Sequence, residues 1–281
     1  MSLGDHVFSH RKGYTHHGID LGDGRVVHYS GLAGGLSAGP VEIITRAVFA
    51  QGGAIHVRSY TARKFDAATT VERALARVGE NCYSVFGNNC EHFACWCITG
   101  EHTSGQCDRG VSVGAALKTA GAATGAVSMV SSAGAVSGLS GPGIMSGLAA
   151  IGPGGAVGGI VTMAAGAGVG AALLLNNTVL ADNPALDQRE REARQVGRYA
   201  TVAGAGTAAA GGVAAVSAMG VTAGLSGAGI MSGLAAIGTS TGAAALSGAS
   251  AAVAGTAVVV AAPVVLAVSL GYGLYKIWRW L

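Results

Sequence analysis

Between residues 199 and 275 the chain contains no Asp, Glu, Lys or Arg. A water-soluble fold keeps charged side chains on its outer surface, so an uncharged stretch of this length is atypical of one. Its last part, 251–275, is an apolar run long enough to cross about 30 Å of hydrocarbon. Residues 276–280, KIWRW, then supply the basic and tryptophan side chains typical of a membrane interface. The sequence therefore predicts a transmembrane helix and association with a phospholipid membrane.

An internal repeat divides the Gly/Ala-rich part of the chain. Residues 138–152 return as 224–238, and the two copies differ only at Pro142 and Ala228. Each copy precedes a long apolar run, which predicts two similar helical hairpins. Gly-xxx-Gly spacings in the hairpins let helix backbones touch closely, as in a glycine zipper, and such helices also pair between copies of a chain. A homo-oligomer of this protein is therefore expected to form through these helices.

A charged segment separates the two hairpins. We expect a linker helix over 183–198, with Asn183 as its cap and Pro184 in its first position. The formal net charge of +3 comes wholly from residues 111–281. Acidic and basic side chains alternate in the linker, and this pattern does not favour nucleic-acid binding.

Residues with reactive side chains are confined to the N-terminal part. All eight histidines and all five cysteines lie within the first 107 residues. We therefore divide the chain into a chemically active domain, 1–110, and an all-α, membrane-associated region of helical hairpins, 111–281. The polar N-terminus does not resemble a signal peptide, which predicts reduced thiols and a catalytic domain that faces the cytoplasm. An odd number of cysteines also leaves at least one thiol unpaired.

Short strand and helix signals in the N-terminal part predict an α+β domain with an antiparallel sheet. HHGIDLGDGRVVHYSG, residues 16–31, is typical of a β-hairpin around a Gly-Asp-Gly turn. Residues 41–50 are expected to add a strand. A capping box that opens at Thr69 predicts a helix that ends at Gly79.

Cys90 is the first residue of a further predicted helix, over 90–99. The unpaired backbone N–H groups and the positive dipole at a helix N-terminus lower the pKa of a thiol and favour the thiolate. His16 and His28 fall on the two strands of the hairpin, and Tyr14 would share the face of His16. A thiol, an imidazole base and a second polar ring form a cysteine triad. The N–H of Cys90 and the hydroxyl of Tyr14 would stabilise an oxyanion.

Four short motifs occur in order in this domain: YTH at 14–16, GDG at 22–24, VVH at 26–28 and NCEHF at 89–93. In this pattern, over residues 4–107, the chain resembles the lecithin:retinol acyltransferase family of the circularly permuted papain-like clan. The resemblance implies a permuted papain-like domain in which Cys90 is the nucleophile, His16 the base and His28 the residue that orients the base. It also implies that an acyl chain passes from a glycerophospholipid to the thiol, and then to water, an amine or an alcohol, with no cofactor. His17 stands where many relatives have Trp, so the resemblance does not determine which residues line the lipid site.

Two other functions fit parts of the sequence. The repeated hairpins favour a membrane-perturbing effector that the N-terminal domain regulates. The papain-like resemblance also admits a thiol peptidase or amidase. A zinc site is not indicated, because the cysteines and histidines do not repeat the usual two-to-four-residue spacing of ligand pairs.

The remaining polar residues near the motifs are given structural roles. Cys95 and Cys97 are expected to pack as small apolar residues. Asn89 is expected to cap the Cys90 helix, and His92 to make structural hydrogen bonds. The other histidines are expected on the surface or in loops: His6, His10, His17, His56 and His102.

Overall fold

The structure, a computed structural model, describes residues 1–31, 38–85, 87–184 and 186–281. The chain divides into two units that we treat separately. Residues Met1–Ser112 and Asn183–Arg191 form the N-terminal unit. Residues Val113–Asp182 and Glu192–Leu281 form the helical unit.

The N-terminal unit is built on an antiparallel sheet. Its strands are β1 (His6–Arg11), β2 (Tyr14–Asp20), β3 (Arg25–Tyr29), β4 (Val41–Thr45) and β5 (Ile55–Val57). They lie in the order β4-β3-β2-β1-β5. β2 and β3 pair with Gly18 opposite His28, which confirms the predicted β-hairpin and antiparallel sheet.

The two faces of this sheet carry different apolar clusters, because side chains alternate along each strand. Ile19 and Val27 pack on one face with Phe93. Val26 packs on the opposite face with Phe49. Side chains on both faces of the sheet are therefore shielded from water.

Three short helices accompany the sheet: α1 (Arg46–Ala50), α2 (Ala67–Leu75) and α3 (Cys90–Thr99). The predicted strand over 41–50 ends at Thr45, which caps α1. The predicted capping box at Thr69 is wrong, because Asp66 accepts the N–H of Thr69 at 2.8 Å and caps α2 one turn earlier. This helix also ends before the predicted Gly79. The carboxylate of an Asp is a strong cap, and here it lies three residues ahead of Thr69.

The helical unit contains most of the remaining helices, and α4 and α7 begin in the N-terminal unit. The helices are α4 (Gly105–Ala133), α5 (Gly141–Ile151), α6 (Ala156–Asn177), α7 (Gln188–Met219), α8 (Gly227–Ser240), α9 (Ala243–Ser247) and α10 (Ala251–Trp280). By length and composition, α4, α6, α7 and α10 are long and apolar enough to cross a membrane. Of these four helices, α10 has the highest mean hydropathy, 2.4. It includes the whole of the predicted span, 251–275. A sheet domain followed by a helical region confirms the predicted α+β class, and the four helices indicate membrane association.

The sequence repeat is a structural duplication. α5 and α8 begin after Ser140 and Ser226, which cap them with the same backbone angles, φ −66° and ψ 163°. A Cβ added at Gly147 would lie 1.9 Å from a carbonyl oxygen of α4, and one added at Gly233 would lie 1.8 Å from a carbonyl oxygen of α7. In both copies a short helix therefore packs directly on the backbone of the long helix before it, where only glycine fits.

The predicted linker helix over 183–198 is instead the first part of α7. Asn183 does not cap it, because α7 begins five residues later at Gln188, and the side-chain amide of Asn183 donates to the Cys82 carbonyl at 3.2 Å. Asp187 takes this place, since its carboxylate accepts the N–H of Glu190 at 2.9 Å. Ala185, inside the predicted helix, lies outside the described residues. The helix continues beyond 198 through an Ala-rich sequence of high helix propensity.

Candidate active site

Cys90 lies in the first turn of α3, where the sequence Asn-Cys-Glu-His sets the local structure. The side chain of Asn89 accepts the N–H groups of Glu91 and His92, each at 3.0 Å. His92 in turn accepts the N–H of Asn89 at 3.3 Å, which completes a capping box. The helix ends at Gly100, in the left-handed region at φ 80°. The predicted helix, its cap and the structural role of His92 are confirmed.

The thiol of Cys90 is buried against β2. It donates to the carbonyl of Thr15 at 3.9 Å, and the backbone N–H of His17 also bonds to the sulfur. Burial raises the pKa of Cys90 to about 12, although the backbone N–H groups of His17 and Glu91 favour the thiolate. The thiol is therefore protonated at neutral pH. Desolvation outweighs the helix N-terminus, so the predicted lowering of this pKa is wrong for the resting protein.

His16 and His28 form a buried pair on the face of the sheet that also carries Phe49. Nε2 of His16 and Nδ1 of His28 are 2.8 Å apart. The ring centroid of Phe49 lies 5.2 Å from that of His16. The register explains the contact, because Gly18 pairs with His28 and His16 lies diagonally opposite on the same face. The structure thus brings the two histidines of the sequence motifs together.

Both histidines are neutral at pH 7. Burial lowers the pKa of His16 to about 3, with further contributions from His28 and Arg11. Burial likewise lowers the pKa of His28 to about 4. A neutral pair shares one hydrogen between the two facing nitrogens, so the tautomer of one ring fixes that of the other. Neutral His16 is able to accept a proton.

The main chain of β2 connects the thiol to the histidine pair. Thr15 and His17, whose backbone groups contact the sulfur, are the neighbours of His16 on either side. Within the described ranges no hydrogen bond joins the thiol to the imidazole of His16, and the thiol donates to the Thr15 carbonyl instead. The thiol and the imidazole of His16 therefore lie on opposite faces of β2, and both are uncharged.

A cleft of about 220 Å³ opens onto the thiol. Tyr14 lines it together with Cys90 and remains 36% exposed. Partial burial, with a contribution from the nearby thiol, raises the pKa of the Tyr14 hydroxyl. Of the four predicted site residues, these two line the cleft, whereas His16 and His28 are buried away from it.

Two further residues of the cleft, Tyr83 and Gln106, were missed by sequence reasoning. The side-chain amide of Gln106 accepts the N–H of Thr15 at 2.8 Å and donates to the Thr15 carbonyl at 3.1 Å. It therefore holds the piece of β2 that contacts the sulfur. Neither residue belongs to a motif, and each comes from a chain segment far from β2, so no spacing in the sequence could have indicated them.

Glu91, the third residue of the NCEHF motif, anchors the first turn of α3. Its carboxylate accepts bonds from Arg58 at 2.6 Å, from the Ser104 hydroxyl at 2.7 Å and from the Gln106 N–H at 3.1 Å. Burial alone would raise the pKa of Glu91, but these bonds and the nearby His17 hold it at about 2. The carboxylate is therefore ionised and ties the thiol-bearing turn to the start of α4.

A second buried chain of polar groups lies beside the thiol. The Tyr60 hydroxyl is 3.4 Å from the Cys95 sulfur and 2.6 Å from Nδ1 of His6. Nε2 of His6 is 2.8 Å from Nδ1 of His17, whose Nε2 is 2.7 Å from the Thr15 hydroxyl. The prediction that His6 and His17 lie on the surface is wrong, because the β1–β2 register directs both to the buried face that packs on α3.

The other four cysteines do not form a second candidate site within the described residues. All five are free thiols, and Cys95 and Cys97 are buried. Among the residues that the structure describes, no group of three His, Cys, Asp or Glu side chains is arranged to hold a metal ion. His102, predicted at the surface, is buried instead and stacks on Trp96 with ring centroids 5.8 Å apart.

The site thus contains a thiol at a helix N-terminus and a pair of imidazoles on the opposite face of the same sheet. Residues 1–103 match the model of the family described as lecithin retinol acyltransferase. The N-terminal part of the chain therefore carries a domain of this family, which confirms the resemblance drawn from the motifs, and the match ends at residue 103. A domain of this family supports acyltransferase or phospholipase-type activity. A search of curated proteins gives no match to the chain.

Proposed function

We propose that the protein is a membrane-associated, cysteine-dependent acyltransferase or phospholipase that takes acyl chains from glycerophospholipids through a thioester on Cys90. The observation that carries the proposal is the cleft that opens onto the Cys90 sulfur at the start of α3, within the residues that match the family. The 2.8 Å bond from His16 to His28 supports a base with an orienting partner. The cleft over the thiol gives an ester access to it.

In the first step the Cys90 thiol loses its proton to His16 as the sulfur attacks the ester carbonyl. A C–S bond forms, and the carbonyl π electrons move to oxygen to give a tetrahedral oxyanion. When the oxyanion collapses, the ester C–O bond breaks and protonated His16 returns its proton to the departing lysophospholipid oxygen. The acyl chain is then held as a thioester.

In the second step water, an amine or an alcohol attacks the thioester carbonyl. His16 accepts the proton of the acceptor, the C–S bond breaks, and the proton returns to the sulfur of Cys90. The thiol and the imidazole are both neutral at rest, and they lie on opposite faces of β2, so this proton transfer requires β2 to rearrange and bring His16 to the sulfur. A free thiolate is not required before the substrate arrives.

The oxyanion is stabilised by two donors beside the sulfur. One is the backbone N–H of Cys90, since the Asn89 cap uses the N–H groups of Glu91 and His92. The other is the hydroxyl of Tyr14, which lines the same cleft and keeps its proton at neutral pH. Donors aimed at the developing negative charge are often the largest single contribution to acyl transfer.

The test is release of lysophospholipid and fatty acid from mixed phospholipid vesicles by the full-length protein. Cys90→Ala should abolish release. Cys82→Ala is the matched control, because Cys82 is a free thiol of the same unit that does not line the cleft. Equal release by the wild type and the Cys90 variant would exclude the thioester. Cleavage of a peptide or amide substrate without lipid turnover would favour the thiol peptidase or amidase instead.

The helical region, 111–281, serves in this proposal to keep the cytoplasm-facing catalytic domain, 1–110, at the lipid surface. A homo-oligomer would form through Gly166 and Gly170 of α6. A Cβ added at either glycine would meet nothing within 4 Å, so neither glycine is required by packing within the chain. Gly121 and Gly125 of α4 are equally clear, whereas Gly147 lies against backbone of its own unit.

A membrane-perturbing effector is the second candidate function, because the helical unit is a structural duplication and a simple anchor needs no repeat. Dye leakage from liposomes separates the two candidates. Leakage caused equally by the wild type and by Cys90→Ala would favour the effector. No leakage from either protein, with turnover that depends on Cys90, would favour the enzyme.

A further inference from the structure

In the pair of His16 and His28, one ring nitrogen of His28 has no hydrogen-bond partner among the described residues. His28 bonds to His16 through Nδ1, and its Nε2 is buried without a hydrogen-bond partner among the described residues. A buried polar atom without a partner costs about 1–3 kcal/mol, so it indicates a contact that the resting structure has not completed.

A carboxylate lies within reach of this nitrogen. Oε1 of Glu42 is 3.5 Å from Nε2 of His28, which is ion-pair distance and slightly long for a hydrogen bond. The register of β3 and β4 sets the two residues directly opposite each other. The Glu42 side chain is 46% exposed, whereas that of His28 is 3% exposed. Of the two side chains, that of Glu42 is therefore the one with room to move toward the other.

We propose that Glu42 is a positioning residue that sets the tautomer of the catalytic base from the surface of the protein. This inference rests on the proposed function. The Glu42 carboxylate accepts a hydrogen bond from Nε2 of His28, so His28 carries its hydrogen on Nε2 and its Nδ1 becomes an acceptor. Nδ1 then accepts the Nε2–H of His16, and the lone pair of His16 is left on its own Nδ1. In the proposed function, that nitrogen takes the proton of Cys90 once β2 has brought the ring to the sulfur.

The carboxylate also acts on the charge of the reacting pair. When His16 takes the thiol proton, the pair of rings becomes positive. Arg11 on β1 and His17 on β2 both disfavour that charge. Glu42 on β4 supplies the opposite charge, at the far end of the hydrogen-bonded chain. In a serine protease triad, a carboxylate has the same two effects on its histidine.

The test is the rate at which iodoacetamide alkylates Cys90 in the full-length protein, followed by mass spectrometry of the intact chain and of the Cys90 peptide across the neutral pH range. Glu42→Gln should slow alkylation about tenfold, the lower end of the loss seen when an outer hydrogen-bond partner of a metal-bound histidine is removed. Glu42→Asp keeps the charge and should retain more of the rate. Glu72→Gln removes an exposed carboxylate of α2 and should change nothing.

Three results would overturn the inference, and they are distinguishable. Alkylation of the Glu42→Gln protein at the wild-type rate, with His16→Ala slow, would mean that the base works without Glu42 and would leave the proposed function intact. A loss of rate that is uniform with pH and accompanied by a lower unfolding midpoint would assign Glu42 a purely structural role. Alkylation unaffected by His16→Ala would remove the base itself, and the proposed function with it.

Discussion

The two units of the chain bury polar groups in different ways. In the N-terminal unit, buried polar side chains bond to one another, as in the pair of His16 and His28 and in the donors around Glu91. In the helical unit, buried hydroxyls return to their own helix: Thr201 and Thr256 each donate to the carbonyl four residues earlier. The first arrangement places groups where they react with a bound molecule. The second removes polar atoms so that helices touch each other and lipid.

Glycine has a different purpose in each unit as well. In the N-terminal unit, Gly22 and Gly24 give the β2–β3 turn its positive φ angles of 81° and 91°. In the helical unit, Gly147 and Gly233 allow direct contact between helix backbones. The stability of the N-terminal unit should therefore depend on the protonation of its buried side chains. The stability of the helical unit should depend on side-chain volume where its helices touch.

The largest expected difference is the response to acid. The folded pKa values of His16 and His28, about 3 and about 4, lie below the ordinary value of 6.5. The unfolded chain therefore binds more protons, and stability is lost as the pH falls below about 6.5 toward those values, on the order of 3 kcal/mol for each histidine. Residues 199–275 contain no Asp, Glu, Lys, Arg or His, so the stability of this stretch should not change over the same pH range. Hydrogen exchange, corrected for intrinsic rates, measures both units separately.

A substituted histidine provides the control for this experiment. His28→Gln should reduce the acid sensitivity of the N-terminal unit, whereas His10→Gln, at an exposed position, should leave it unchanged. If both units opened together at one pH, the contrast between them would be lost.

The next effect concerns the membrane. Val265→Arg places a charge on the exposed side of α10, and if this helix spans the bilayer, insertion scales give a cost of about 2.5–3.5 kcal/mol at mid-span. Val48→Arg is the matched control, because Val48 is similarly exposed, 58% against 48%, but belongs to the N-terminal unit. Extraction of membranes with alkaline carbonate should release part of the Val265 variant and none of the control. Equal retention of both variants would mean that α10 does not span the bilayer.

The smallest of the three effects compares two glycines. Gly147→Ala should lower the unfolding midpoint in detergent, because the added Cβ would lie 1.9 Å from a carbonyl oxygen, and overpacking of this kind costs about 1–3 kcal/mol. Gly206→Ala, in α7, meets nothing within 4 Å and should be neutral or slightly stabilising. A tolerant Gly147 would show that the duplicated contact is not tight.

Local signals in the sequence predicted the elements that carry the site. The hairpin follows from alternation around Gly-Asp-Gly, and α3 follows from Asn89 at its start and Gly100 at its end. The errors in burial and protonation have a common cause, which is that burial depends on the whole fold. The protonated state of Cys90 and the burial of His6 and His17 arise because the sheet and α3 enclose them.

Contacts between distant segments were beyond sequence reasoning for the same reason. Gln106 bonds to the backbone of Thr15, which is 91 residues earlier in the sequence. The spacing of the two residues does not indicate this contact. The misplaced start of α7 has a different origin: Asn183 and Asp187 are both residue types that cap helices, and the structure uses Asp187, the later of the two.

The central claim is that Cys90 is the nucleophile and His16 its base. The most direct measurement is intact-mass spectrometry of the full-length protein after incubation with mixed phospholipids, with peptide mapping of any adduct. The account predicts an acyl adduct on Cys90 that is absent in His16→Ala and weak in His28→Gln, because the base must take the thiol proton and its partner only orients it. An adduct on another cysteine, or one that persists in His16→Ala, would contradict it.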